Sequence, residues 1–215
     1  MPTAWPLFDL VVRPPQVTLR LPREDELLAL AGHAAGRVLP EHEAGFMGPW
    51  TQVPSPEFER SFVQFHWGLR ASWTPEHWSL VLGVYPDARE GPVGMMGADA
   101  TAFAQTRSAT TGSWLLPDWR GRGLGRESRA AILHLLFDGL GAREARSAAH
   151  PDNGPSNAVS RSLGYRADGT ETVLAGGGEA VTVVRLALSR EEWLVRRRDD
   201  IELSGIGSCL AMFGA

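Results

Sequence analysis

The chain has 215 residues, 43% of them hydrophobic and 21% charged, with 21 Lys and Arg against 25 Asp and Glu for a formal net charge of −4. That supplies a sizeable core and excludes wholesale disorder. It also argues against a nucleic-acid binder relying on a general positive field, although a local basic patch remains able to hold an anion. The one cysteine, Cys209, excludes an intrachain disulfide framework and a thiolate zinc cluster, and no apolar run approaches the ~20 residues of a membrane helix. The opening Met1–Pro6 lacks a basic region followed by an apolar one. The expectation is a soluble cytoplasmic protein with no metal, no nucleic-acid partner and no membrane partner. With no internal repeat or linker, residues 1–215 read as one α/β domain with short N- and C-terminal extensions.

Leu7 to Leu21 is apolar and β-branched but broken by Arg13-Pro14-Pro15, so two short strands around a turn fit best. Pro22 to Glu26 opens an amphipathic helix with acids in its first turn and Leu27, Leu28, Leu30 and Ala31 as the buried stripe. Leu39 to Pro56, rich in Pro and Gly, is an irregular loop that still carries Phe46, Met47 and Trp50. It is either a loop folded over the core or the apolar wall of a ligand cleft, with Phe46 and Trp50 lining it. Pro56 to Trp73 has helical spacing in Phe58, Phe62, Phe65 and Leu69.

Trp78 to Tyr85 and the segment from Pro92 to Met96 read as a hairpin across a turn at 86–91. Thr110 to Leu116 is a further strand, Gly125 to Leu140 a helix, Ala142 to Ala149 a strand and Asn153 to Leu163 a short helix closed by Gly164. Tyr165 to Leu174 and Glu179 to Leu188 form a hairpin around Gly176-Gly177-Gly178. Ser189-Arg190-Glu191-Glu192 has the cap and acidic turn of a helix start, with Arg196-Arg197-Arg198 as solvated cations in its last turn. The tail from Ile201 to Ala215 is apolar enough to dock on its own sheet or on a second subunit, which raises a homodimer as an expectation.

Chemistry concentrates in Gly112 to Arg126, where a strand runs through a glycine-rich turn into an amphipathic helix. Glycines let a backbone approach a ligand, and the free N–H groups of a first helical turn carry positive partial charge. Arg120, Arg122 and Arg126 surround the same point, so the composite reads as a phosphate or diphosphate receptor. Two nucleotide motifs fail here. The last glycine precedes Arg126-Glu127 rather than Lys-Ser/Thr, and the third glycine of a dinucleotide fingerprint would fall on Arg126.

Arg120-Gly121-Arg122-Gly123-Leu124-Gly125 resembles the Arg/Gln-x-x-Gly-x-Gly/Ala signature of the GNAT superfamily of acyl-CoA-dependent N-acyltransferases. His150 to Tyr165, with Asn153, Ser156 and Leu163-Gly164-Tyr165, is similar to the Asn-x-x-Ser…Leu-Gly-Phe/Tyr segment of the ribosomal-protein N-terminal acetyltransferase-like branch. The ends, Trp5 to Leu10 and Cys209 to Gly214, resemble a bacterial subgroup in which some members are assigned succinyl-CoA. The resemblance implies an α/β (α+β) fold with a mixed, mostly antiparallel central sheet flanked by helices and with splayed central strands. It also implies acetyl-CoA or succinyl-CoA as co-substrate and an amine acceptor. Trp114, Leu115 and Leu116 would lie along the pantetheine arm, with a backbone N–H near Leu115 polarising the thioester carbonyl. Arg120, Gly121, Arg122, Gly123, Gly125 and Arg126 would grip the pyrophosphate, and Asn153 would bond the coenzyme beyond it.

Direct attack by an amine needs no enzyme nucleophile, but the amine must shed a proton, from ~10.4 for lysine or ~8 for an α-amino group. The family's tyrosine general acid falls in register on Ser160, with Ser156 as a neighbouring hydroxyl that serves equally as a helix cap. Thr110 and Thr111 stand where relatives carry a strand acid. The candidates for the base are Asp99, Glu41 and Glu43, with His42 behind them, and Cys209 reads as packing. A succinyl group would need a cation, for which Arg107 and Arg37 are the candidates. The chemistry competes with a coenzyme-sensing domain and with a purely structural protein.

Overall fold

A computed structural model of the chain describes residues 4–38, 53–175 and 178–215. Two short strands, β1 (Val11–Arg13) and β2 (Val17–Arg20), lead to helices α1 (Glu24–Ala34) and α2 (Glu57–Ala71). Strands β3 (His77–Pro86) and β4 (Gly94–Thr101), a single turn α3 (Phe103–Thr106) and strand β5 (Ser108–Leu115) form the centre. Helix α4 (Leu124–His134) crosses to β6 (Glu144–Ala149), and α5 (Gly154–Ser162) to β7 (Arg166–Leu174) and β8 (Ala180–Ser189). The short α6 (Arg190–Leu194), β9 (Glu202–Ser204) and α7 (Leu210–Phe213) complete the order.

All nine strands join one sheet in the order β7-β8-β6-β5-β4-β3-β2-β1-β9. Its pairs are antiparallel except β5 with β6. This is the mixed, mostly antiparallel sheet flanked by helices that the sequence implied. One face buries Met96, Ala98 and Ala100 of β4 against Ala130, Leu133 and Phe137 at and beyond α4. The other buries Met95 and half-buried Trp114 against Leu27 and Leu30 of α1 and Phe58, Phe62 and Val63 of α2. Alternation along a strand makes this two-sided core possible.

The parallel pair is short. Ser108, Ala109 and Thr110 pair with Glu144, Ala145 and Arg146, yet β5 continues to Leu115 and β6 to Ala149. The two strands therefore part beyond Thr110, which is the splay the resemblance implied. Side chains stand in for the lost ladder at the fork. The Thr111 hydroxyl donates to the Arg146 carbonyl (3.0 Å), and the Ser147 hydroxyl to the Thr111 carbonyl (3.3 Å).

Several expectations are corrected. Leu28 is 57% exposed, and α1 buries Leu27, Leu30, Ala31 and Ala34 instead. Phe65 is 59% exposed, because α2 lays Phe58, Phe62, Val63 and His66 on the sheet, a stripe one position away from the expected one. Helix α6 stops at Leu194, so Arg197 and Arg198 lie past its end, paired with Asp138 and Asp199 and with Glu127 and Asp200. The apolar tail docks on its own sheet. Strand β9 pairs with β1, and Phe213 is fully buried beneath Trp73 and Trp78, whose indole N–H groups donate to the Met212 and Phe213 carbonyls. The apolar surface behind the homodimer expectation is thus used within the chain.

His66 is buried against Phe62, ring centroids 4.8 Å apart. Burial, assisted by the Arg70 charge and opposed by Glu24, lowers its pKa from 6.5 to about 4. The unfolded chain therefore takes up a proton that the folded protein refuses. The stability this contributes is complete above pH 6.5 and is lost as pH falls towards 4. Acidification across that window is expected to cost on the order of 3 kcal/mol through this residue. Urea unfolding of wild type and His66→Leu at both ends of the window should show a clearly flatter dependence in the variant; equal slopes reject the assignment.

Candidate functional site

Strand β5 ends in a 3-10 turn, Pro117–Trp119, followed by the glycine elbow that starts α4. Gly121 and Gly123 have φ of +71° and +82°, a region costly for residues with a Cβ. Gly123 is the N-cap of α4, and no side chain among the described residues caps that helix. The turn is also open. A Cβ added at Gly121 meets nothing within 4 Å, one at Gly123 only the Gln16 side chain at 3.8 Å, and one at Gly125 only Leu115 at 3.8 Å. Exposed Arg122 and Arg126 flank it, with the Arg122 guanidinium 4.9 Å from the centroid of Trp119. This is an uncapped helix terminus with room for an anion, which fits a diphosphate.

Arg120 is placed differently from its neighbours. Its Nε donates to the Leu115 carbonyl (3.1 Å) and its Nη2 to the Val38 carbonyl, so it clamps the strand end to the segment after α1. The strand's own polarity is informative. The Leu116 N–H donates to the Val93 carbonyl on the β4 side (2.8 Å), so alternation turns the Leu115 N–H the other way, towards the gap left by β6. Leu116 is buried, Leu115 half-buried, and the Trp114 ring meets Phe62 edge-on, centroids 6.0 Å apart. Gly94 packs so tightly beneath that a Cβ there would lie 2.2 Å from the Trp114 carbonyl oxygen.

The base of the fork is polar. Arg129 of α4 is 2% exposed, and its guanidinium donates to Ser147 of β6 (3.2 Å), Ser160 of α5 (3.2 Å) and Ser113 of β5 (3.1 Å). Among the described residues it has no carboxylate partner, and its Nε is buried without an acceptor. Burial lowers its pKa, opposed by neighbouring Tyr165. Burial also raises that of Tyr165. Since the Thr111 hydroxyl spends its proton on Arg146, Tyr165 donates in the 3.0 Å bond between their hydroxyls.

The other candidates fall as follows. Ser160 is fully buried and belongs to this cluster, whereas Ser156 is half-buried and is not the helix cap. That cap is Asn153, whose Oδ1 accepts from the Ser156 N–H at 3.1 Å. Asp99 lies opposite Thr110 on the face that carries Trp114, away from α4. Its side chain keeps open surface, yet the protein crowding around the carboxyl raises its pKa against a Ser79 hydrogen bond and the His77 charge. Ser160 and Asp99 thus stand on opposite sides of the sheet. Arg37 pairs with Asp118 (2.6 Å), and Arg107 donates to the Leu140 carbonyl (3.2 Å). Buried Cys209 directs its thiol at the Gly205 carbonyl (3.3 Å), which fits packing. Glu41, His42, Glu43, Phe46, Met47 and Trp50 lie outside the described residues.

Sequence reasoning missed Arg129, Ser113, Ser147 and Tyr165. One signal was present. Arg129 follows Gly125 by four positions and precedes Leu133 by four, so it is a charge on the inward stripe of α4. Also missed was a cavity of about 300 Å³ beside that helix, walled by Leu133, Leu163 and Trp193 and edged by Arg126 and Arg196.

Comparisons with known proteins bear on the fold. The acetyltransferase (GNAT) domain family matches residues 16–166. Mycobacterium smegmatis RimJ, solved in complex with CoA-disulfide, superposes with a TM-score of 0.66 at 20% identity, covering 96% of this chain and 95% of that one. The ribosomal-protein-S5-alanine acetyltransferase of Vibrio fischeri gives 0.59 at 15% identity over 82% of this chain and 94% of its own. The microcin C7 self-immunity acetyltransferase MccE, solved with acetyl-CoA and AMP, gives 0.58 at 15% identity over 81% and 93%. These likenesses concern the fold, and the family match covers most of the sequence: the chain belongs to the acetyltransferase (GNAT) domain family.

Proposed function

We propose that residues 1–215 form one catalytic unit that moves an acetyl group from acetyl-CoA to a primary amine of a protein terminus, a lysine or a small molecule. The observation that carries this reading is the open, uncapped N-terminus of α4 beside a strand fork into which the Leu115 N–H points. The helix N–H groups with Arg122 and Arg126 hold the pyrophosphate. The arm of the coenzyme follows Trp114 to Leu116, and Asn153 meets it from α5. Arg120 acts indirectly, by fixing the strand end through Leu115. The cavity edged by Arg126 and Arg196 suits the nucleotide end.

Chemistry in the fork needs few groups. The Leu115 N–H, fixed before the reaction begins, stabilises the oxyanion that forms as an amine attacks the thioester carbonyl. Asp99, on the opposite face with its pKa raised, is the described carboxylate best suited to take the amine's proton through water. Ser160 donates a hydrogen bond to the leaving sulfur. The engagement of Arg37 by Asp118 and of Arg107 by Leu140 favours acetyl over succinyl, whose carboxylate would need a cation.

Mass spectrometry of products from an amine panel with both donors tests the reading. Acetyl transfer is expected to lead succinyl transfer in kcat/KM by about tenfold or more, equivalent to about 1.4 kcal/mol. A succinyl preference would reverse the donor assignment. Coenzyme binding without turnover on any amine would leave a sensing domain.

A further inference from the structure

The fork contains a cation that the family-level chemistry leaves unused. A buried guanidinium is costly unless an anion or several acceptors compensate it, and arginine stays protonated even when burial lowers its pKa. Arg129 has three serine hydroxyls, with the Tyr165 hydroxyl beside them, and no carboxylate among the described residues. The serine hydroxyls come from β5, β6 and α5, so the one side chain bridges both walls of the fork.

The hydrogen-bond polarity follows from this. Each serine oxygen accepts from Arg129, so each hydroxyl proton is directed elsewhere. Ser147 gives its proton to the Thr111 carbonyl. Ser113 and Ser160 have no such acceptor among the described residues, whereas nearby Ser162 bonds back to the Val159 carbonyl at 2.8 Å. Ser113 is exposed where the strands have parted.

Building on the acyltransfer reading above, we propose that Arg129 is a positioning residue for the leaving group: it holds Ser160 and Ser113 by their lone pairs so that their protons face the gap, and its charge stabilises the thiolate released there. In the step served, the amine nitrogen forms the new C–N bond, the C–S bond breaks with its electron pair passing to sulfur, and the amine proton goes to water. The sulfur leaves as thiolate, hydrogen-bonded rather than protonated by serine.

The test uses coenzyme A alone bound to the protein, with the thiolate followed by its ultraviolet absorbance as pH is raised. In wild type the bound thiol is expected to titrate about one pH unit below free coenzyme, a tenfold stabilisation of the thiolate. Arg129→Gln should restore the free value. Arg129→Lys keeps the charge and should retain most of the effect, while Ser160→Ala should lose a smaller part. If Arg129→Gln does not fold, the other two variants carry the test. In turnover, Arg129→Gln should lower kcat more than KM and Arg129→Lys much less, and the loss should shrink with a thioester of a more acidic thiol, which a merely structural role would not produce. Tight binding with an unshifted thiol in wild type overturns the role of Arg129 alone. No coenzyme binding by wild type in calorimetry removes the acyltransfer reading, and this proposal with it.

Discussion

Replacing Gly123 with leucine is expected to weaken coenzyme A binding about a hundredfold or more while the protein remains folded. The elbow offers backbone donors at a helix terminus that no described side chain caps, and Gly123 is the residue from which they fan out. A leucine there faces two penalties. Its φ of +82° suits glycine, and holding another residue in it costs about 1–2 kcal/mol of stability. Its side chain also fills the open space in front of the N–H groups, since only Gln16 lies within 4 Å of an added Cβ. Two charge-assisted hydrogen bonds lost to that obstruction, each worth about 1.5–3 kcal/mol, account for the size of the effect. Calorimetry with coenzyme A, paired with a thermal unfolding scan of the same sample, is decisive. Unchanged affinity in a folded variant would remove the elbow from the binding site.

Phe213→Ala is expected to destabilise the protein by about 3–5 kcal/mol, as for other deleted core aromatics. Its ring is wholly buried and sits edge-on to Trp73 and Trp78 at centroid distances of 5.3 and 4.9 Å. The neighbouring carbonyls accept both indole protons, so the backbone around the vacated space cannot relax freely. Urea unfolding measures the cost. A loss below about 1 kcal/mol would mean that the tail packs elsewhere in solution.

The elbow was legible in the sequence because its physics is local. Three glycines, the arginines among them and the first turn of one helix lie within Arg120 to Arg126, and a short motif specifies their geometry. The fork was legible only by resemblance, since nothing in Ser108 to Leu115 says where its neighbour will leave it. Of the cluster on Arg129 only the inward charge of α4 was legible, and its partners were not. Thr111, Ser113, Ser147 and Ser160 come from three elements and Tyr165 from the turn before β7, and only the crossovers through α4 and α5 bring them together. Helix α2 shows the same limit. Phe58, Phe62, Phe65 and Leu69 form a valid helical stripe, but the packing of α2 on Trp114 selects Phe58, Phe62 and His66. Periodicity fixes a helix and leaves its rotation about its axis to the tertiary structure.

The docking of residues 202–213 sets an order of events during synthesis. Until that stretch leaves the ribosome, a nascent chain has β1 as a bare margin of the sheet and Trp73 and Trp78 without their lid. Such a species offers both unpaired amides and apolar surface to other chains. The sheet margin and the tryptophan lid therefore close only when residues 202–213 arrive, and the interval before that is when this polypeptide is most open to association with other chains.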